Sequence, residues 1–237
     1  MNLPAFQSLD TAQLVALAAA LGWASGIRLY AVLFLTGLAG LMNWVPLPPG
    51  LQLLSNPVVL GASGFMLFVE FFADKIPGLD SLWDMVHSVI RIPAGAALAA
   101  SVLGANSSSM ALVAALLGGT LAAASYGAKA TTRAAINTSP EPFSNIGMSL
   151  AEDATVGAGL WLAVQHPLVF IVLVAVFTVL AVWVIRRMFR YVTRLVKRVV
   201  AIFSGSDAGA RVDAPTSFIS ASRPGEKPSA MPPPTHL

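Results

Sequence analysis

Residues 18–31 read AAALGWASGIRLYA, and they place the cation Arg28 near the middle of a long apolar run. That run extends from about Thr11 to Met42, and Asp10 is the expected N-cap of a helix that begins there. A charge at such depth in a membrane costs roughly 2.5–3.5 kcal/mol on insertion scales, so it should face a bundle interior or a wet cavity and find a partner. This stretch therefore predicts both a membrane helix and a polar interior site.

The composition of the whole chain is typical of a membrane protein. Its 237 residues are 56% hydrophobic and 11% charged, whereas a soluble domain is about one quarter charged. The absence of cysteine excludes disulfides, thiolate metal sites and cysteine nucleophiles. The first residues, MNLPAFQSLDTAQ, hold no basic residue ahead of the apolar run and so do not resemble a cleaved signal peptide. The net charge of +3 comes mainly from one cluster beside a predicted span, so no nucleic-acid partner is expected.

Apolar segments predict an all-α membrane bundle of about six spans, because a span needs about 20 mostly apolar residues. The predicted spans are about Thr11–Met42, Pro57–Lys75, Ile92–Leu103, Met110–Ile136, Met148–Val164 and Pro167–Ile185. The predicted domains are a transmembrane domain over 1–190, with halves at about 11–105 and 109–190, a basic amphipathic helix over 186–203, and a disordered cytoplasmic tail over 204–237.

Basic residues set the predicted orientation. Those that follow the sixth span are Arg186, Arg187, Arg190, Arg194, Lys197 and Arg198. They predict a cytoplasmic end and contacts with membrane lipids, including anionic headgroups. Six spans would then place the N-terminus in the cytoplasm as well, in a bacterial inner membrane. Arg91 and Arg133 would mark the inner ends of spans three and four.

Two segments at an offset of 101 residues indicate an internal repeat. Ala18, Gly22, Gly26 and Arg28 align with Gly119, Ala123, Gly127 and Lys129. Small residues at four-residue spacing let helix backbones approach closely, so Gly22, Gly26, Gly119 and Gly127 are predicted packing positions. The same faces could serve a homo-oligomer contact. Because each half would hold three spans, the halves would insert in opposite directions, as in many transporters.

The cations of the two predicted halves face acids on the following spans. The predicted polar intramembrane site consists of Arg28, Glu70, Asp74, Lys129, Glu152 and Asp153. Two interpretations follow from these charges. Their pairing could lock the helices together, or they could form a site for an ion, a proton or a small polar solute.

A second cluster follows the Pro77–Gly78 break. Asp80, Asp84 and His87 share one helix face at spacings of 4 and 3, which makes them a weak candidate for a divalent-metal site. The spacing matches no specific metal motif, and a solvated helix face is the alternative. The sequence contains no nucleotide-binding loop and no hydrolase elbow, so neither a cofactor nor a catalytic residue is predicted and we do not expect an enzyme.

The segment ADKIPGLDSLWDMVHSVIRIPAGA resembles the signature of a bacterial membrane family catalogued as domain of unknown function 4126. SGIRLYAVLFLTGL, KATTRAAINTSPEPFSN and SLAEDA extend the resemblance over roughly residues 12–190. It implies a multi-pass membrane protein and supplies no activity, substrate or cofactor.

The sequence thus favours a small transporter- or channel-like protein for an ion or small polar solute. The alternative is a non-transporting scaffold that organises partners or lipids through the basic helix and tail. A membrane enzyme with a metal at Asp80, Asp84 and His87 is a third hypothesis. No feature identifies a protein partner.

Overall fold

The structure is a computed structural model that describes residues 9–73, 76, 79–104, 107–136 and 142–205, without the side chains of 80, 81, 142, 145, 195, 199 and 201–205. Within these ranges the regular structure is entirely helical. The helices are α1 (Thr11–Leu41), a 3-10 helix η1 (Pro49–Ser55), α2 (Pro57–Ala73), α3 (Leu79–Leu103), α4 (Ser108–Ile136), α5 (Pro142–Gln165) and α6 (Pro167–Gly205).

Four of the described helices are long and apolar enough to cross a membrane, namely α1, α3 from Leu82, α4, and α6 as far as Arg198. A fifth span results if η1 and α2, which meet at a bend of 69°, count as one. Helix α5 does not qualify, because Glu152 and Asp153 lower the hydropathy of its middle. The all-α membrane class is confirmed, and the count by composition is four or five rather than six.

Helix α1 is broken in its middle. Arg28 has φ −147° and ψ 88°, an extended conformation between two helical halves, residues 11–27 and 29–41. Leu17 of the first half and Ala39 of the second line the same cavity of about 420 Å³. In a straight helix these two residues would lie about 33 Å apart, too far to line one cavity of that volume. The second half therefore turns back alongside the first.

Contacts with α5 establish the direction of each half. In the first half, Gln13 Nε2 donates to Val164 O at 3.0 Å, while Arg28 contacts Ser149, so this half runs antiparallel to α5. In the second half, the residue numbers of neighbouring positions on α1 and α5 increase together, so this half runs parallel to α5. Ala31 shares a cavity with Asp153 and Gly157, and Trp44 shares one with Trp161 and Val164. Helix α1 is thus a helical hairpin whose tip is Arg28.

The hairpin corrects the prediction of one span over Thr11–Met42. Both ends of α1 lie at the end of the bundle where α5 finishes and α6 starts. From there α6 runs toward the opposite end, since Ile185 packs beside Gly127 of α4. The start of α1 and the basic residues Arg186 and Arg187 consequently lie at opposite ends, whereas six complete spans would have placed them at the same end.

Small residues bring the first half of α1 against α3 and α4. A Cβ on Gly22 would overlap the backbone of Gly118, and a Cβ on Gly26 would overlap Ala122 O. Contact positions on the two helices increase together, so the first half of α1 and α4 run in the same direction. The predicted inverted repeat requires opposite directions for these helices, and the observed packing differs from it.

The other two glycines predicted to pack do so against different helices. A Cβ built on Gly119 would lie 3.3 Å from the Ala96 side chain of α3, and one on Gly127 would lie 2.8 Å from Ile185 of α6. All four glycines therefore face neighbouring helices, but only Gly22 and Gly26 lie at the contact between α1 and α4.

The chain divides into two compact units, with the boundary after Tyr191. In the first unit, the exposed Arg187 stacks over Trp183, with 5.6 Å between the guanidinium carbon and the ring centre. In the second unit, Arg194, Lys197 and Arg198 are exposed on the last turns of α6. The predicted tail lies outside the described residues, apart from residues 204 and 205, which end α6.

Candidate functional site

The tip of the α1 hairpin lies inside a buried network of ion pairs. Four helices surround it, and each contributes charge. We call the following eight residues the charge network: Arg28 on α1, Glu70 on α2, Asp84 and Arg91 on α3, Lys129 and Arg133 on α4, and Glu152 and Asp153 on α5. With four cations and four acids, the formal charges of these eight residues balance.

Arg28 connects the hairpin tip to α5. Its side chain is fully buried, and its Nε lies 2.9 Å from Asp153 Oδ1 and 3.5 Å from Glu152 Oε2. Its Nη2 donates to the hydroxyl and carbonyl oxygens of Ser149, at 2.5 and 3.2 Å. The extended backbone at Arg28 frees helical carbonyls, and Lys129 Nζ donates to one of them, Ile27 O, at 3.0 Å. The break is therefore supported by buried polar partners, as irregular backbone inside a membrane requires.

Glu152 forms the centre of the network. Arg133 approaches it with two nitrogens, Nε and Nη2, which donate to the two carboxylate oxygens at 3.0 Å each. Lys129 Nζ lies 3.3 Å from the same carboxylate, and Arg28 is the third cation beside it. Glu152 is only 7% exposed, so three cations share the negative charge of one nearly buried carboxylate.

Asp84 links this centre to α2 and α3. It lies 3.1 Å from Lys129 Nζ and 2.7 Å from Arg91 Nη1. Arg91 uses its other terminal nitrogen, Nη2, to donate to Glu70 Oε1. Arg91 and Glu70 are both fully buried, so each depends on the network for compensation of its charge.

Five of the six residues predicted for the polar site belong to the network. Arg28, Lys129, Glu152 and Asp153 lie close together, whereas Glu70 joins them through Arg91 and Asp84. Asp74 lies outside the described residues. Sequence reasoning missed Arg91, Arg133 and Ser149, and it assigned Asp84 to a separate cluster.

The metal-site hypothesis for Asp80, Asp84 and His87 receives no support from the part of the chain that the structure describes. Asp84 is held by two cations, and His87 Nδ1 lies 2.9 Å from Trp83 O. The His87 ring stacks on Trp83 and meets Tyr30 edge-on. Among the described side chains, which omit that of Asp80, no group of three potential ligands converges.

Two cavities border the network. One, of about 200 Å³, is lined by Lys129 and Glu152 together with the hydroxyl residues Ser125, Thr132 and Thr155. The other, of about 560 Å³, lies between the second half of α1 and α2, and Asp153 forms its charged wall. The network is therefore densely paired but adjoins space that a small solute could occupy.

No curated protein and no solved structure matches the chain. A family described as a domain of unknown function, DUF4126, matches residues 15–187. That range holds the whole charge network, all of α1 except its first four residues, and the start of the basic cluster. On this match the chain belongs to the DUF4126 family of domains of unknown function.

Proposed function

We propose that the protein is a small transporter- or channel-like membrane protein for an ion or small polar solute, with the charge network as its site. One observation carries the proposal: the first helix breaks at Arg28, inside the bundle, where eight charged residues meet. Many secondary transporters bind their substrates where a membrane helix is discontinuous, because the break frees backbone groups for a ligand. A purely structural helix contact requires no such break.

Several features favour a functional role for the network. Ionisable residues inside a membrane are costly, and they commonly mark pathways for substrates, ions or protons. Lys129 and Glu152 face both the network and the 200 Å³ cavity, so a solute entering that cavity would meet one charge of each sign. The three hydroxyl residues of its wall could replace part of the solute's hydration.

The bundle geometry supports an orientation with five crossings, by α2 to α6, beside the α1 hairpin. The basic end of α6 would be cytoplasmic by the positive-inside rule. Both ends of α1 would then lie on the outer side of a bacterial inner membrane. This arrangement replaces the cytoplasmic N-terminus that six complete spans had predicted.

The exposed basic face of α6 favours a second candidate, a scaffold that binds anionic lipids or partners. Arg186, Arg187 and Arg190 are exposed beside Trp183, which is typical of a helix at the headgroup boundary. Anchoring through this face is compatible with transport. It becomes the main function only if the network carries no solute.

A flux measurement tests the transport proposal. Purified protein in proteoliposomes would be screened for passage of protons, alkali cations, halides and small zwitterions, comparing wild type with Glu152→Gln. The matched control is Asp10→Asn, which makes the same carboxylate-to-amide change at an exposed helix cap where asparagine caps equally well. We expect flux in wild type and control, and at least a tenfold loss in Glu152→Gln. Equal flux in all three, or in none for every solute, would refute the proposal.

A further inference from the structure

The cavity of about 560 Å³ beside the charge network is lined by aromatic rings and one carboxylate. Phe34 on the second half of α1 and Phe68 and Phe71 on α2 supply the rings, and Asp153 on α5 supplies the carboxylate. Asp153 is the only charged residue of the lining within the part of the chain that the structure describes. The volume falls within the usual range for a small-molecule pocket, about 300–1,000 Å³.

Asp153 is the most exposed acid of the charge network. Its side chain is 32% exposed, whereas those of Glu70, Asp84 and Glu152 are at most 8% exposed. Its neighbour Arg28 is fully buried, contacts Asp153 Oδ1 at 2.9 Å and is shared with Glu152. A ligand in the cavity therefore meets the carboxylate of Asp153, with the guanidinium of Arg28 buried behind it.

The three phenylalanine rings are held in place by their neighbours. A Cβ on Gly64 would lie 3.1 Å from the Phe34 ring, so the missing side chain at Gly64 leaves room for that ring. Phe68 and Phe71 both pack against Phe72, with ring centres 4.7 and 5.5 Å from its own. The face of an aromatic ring carries partial negative charge, so rings placed beside a carboxylate favour a cation.

The lining discriminates between classes of ligand by their charge and hydration. Asp153 repels an anion. A small inorganic cation would lose its hydration shell to a wall that offers, among the described residues, one carboxylate and no hydroxyl. A neutral chain would cover a partly exposed carboxylate without compensating its charge. A cation whose charge is surrounded by apolar groups avoids all three penalties, because it is weakly hydrated and still offsets the charge of Asp153.

We propose that this cavity binds a lipophilic organic cation, a quaternary ammonium or phosphonium ion, with Asp153 as its counter-ion and the three phenylalanine rings around its apolar groups. Phe68 is 60% exposed, so the cavity is open to an ion dissolved in the surrounding lipid. The neighbouring cavity of about 420 Å³ shares Leu35 and Gly157 with this one, so apolar substituents of the ion have further room. The proposal concerns binding and does not require that the protein transport the ion.

Binding of two ions of the same shape and opposite charge tests the proposal. Equilibrium dialysis of the detergent-purified full chain would measure tetraphenylphosphonium and tetraphenylborate, with protein-free micelles as the blank. We expect saturable binding of the phosphonium ion to wild type and none of the borate. Asp153→Asn should weaken phosphonium binding about tenfold, because the ion loses its counter-ion in a poorly hydrated site. Equal binding of both ions to wild type would overturn the proposal, and so would a lack of saturable phosphonium binding.

Two variants that keep all eight charges of the network test the cavity even where Asp153→Asn fails to fold. Phe71→Leu removes one ring and should weaken phosphonium binding about two- to thirtyfold, the range of one cation–π contact. Gly157→Leu extends a side chain into open space, since a Cβ there meets nothing within 4 Å, and should abolish binding.

The matched control is Phe65→Leu, which removes an exposed ring of the same helix that is not part of the described lining. It should bind the phosphonium ion as wild type does. Unchanged binding in both Phe71→Leu and Gly157→Leu would overturn the proposal, whatever the flux assay shows. Absence of flux for every solute would refute transport and leave this binding result unaffected, so the two proposals can fail separately.

Discussion

Glu152 is the residue whose replacement should destabilise the protein most clearly. Its carboxylate accepts from Arg133 twice at 3.0 Å and has Lys129 and Arg28 within 3.5 Å. Glu152→Gln keeps the shape of the side chain but leaves the four cations of the charge network with three acids. Removing one partner of a buried ion pair usually costs about 3–5 kcal/mol, because the remaining charge stays desolvated and unpaired. For a chain of this length that cost corresponds to a loss of roughly 6–20 °C in Tm.

Thermal unfolding in detergent measures this cost. A second variant, Glu152→Gln with Arg133→Met, removes one charge of each sign and should recover part of the loss, since Arg133 is the closest cation to the carboxylate. Asp10→Asn is the control and should unfold at the wild-type temperature, because its carboxylate is exposed and only caps α1. If Glu152→Gln alone unfolds at the wild-type temperature, the ion pairs of the charge network do not stabilise the folded state as their distances imply.

Three further predictions concern the surroundings of the network. Arg91→Met should lower the free energy of unfolding by about 3–5 kcal/mol, because Glu70 and Asp84 lose a shared buried cation. Denaturation of the purified variant measures this loss, and an unchanged free energy of unfolding would contradict the importance of the pairing. Gly26→Leu should abolish accumulation of folded protein, because its Cβ would overlap Ala122 O. Gly61→Leu, where a Cβ meets nothing within 4 Å, should be tolerated. Size-exclusion chromatography of the two purified variants measures the difference. Ser125→Ala should cost about 1 kcal/mol through loss of its hydrogen bond to Trp23 O, and a cost above 3 kcal/mol would assign Ser125 a larger role.

Much of the helical plan could be predicted from the sequence. Asp10 begins α1 with a capping box, as expected of an acidic N-cap. Pro167 begins α6, and α2 and α4 coincide with predicted spans to within two residues, whereas α5 begins at Pro142, six residues before the predicted start at Met148. The third span was predicted to begin near Ile92, after a separate helical segment with Asp80, Asp84 and His87, but the structure joins the two in one helix, α3, with Pro93 inside it.

The break at Arg28 could not be predicted from local propensity alone. The dipeptide Ser25-Gly26 just before it is a turn signal, but small residues at such positions also serve helix packing inside membranes. The conformation at Arg28 depends on tertiary partners, Ser149, Asp153 and Lys129, which lie more than 100 residues away. The local signals are this Ser-Gly pair and the unusual depth of a cation in an apolar run.

Arg91 and Arg133 were missed for a different reason. Each was read as a marker of a membrane boundary, which is the common role of arginine beside a span. Their spacing is a signal of a different role. Arg133 follows Lys129 by four residues and shares its helix face, and Arg91 follows Asp84 by seven, two turns along one face. Such spacing inside helices long enough to span a membrane indicates a shared buried site.

Single-cysteine labelling tests directly whether α1 doubles back at Arg28. The chain has no native cysteine, so Thr11→Cys, Met42→Cys and Arg187→Cys each place one reactive thiol at an exposed position. In oriented membranes treated with an impermeant maleimide, positions 11 and 42 should label from the same side and position 187 from the other. Labelling of positions 11 and 42 from opposite sides would show that α1 crosses the membrane and would contradict the hairpin.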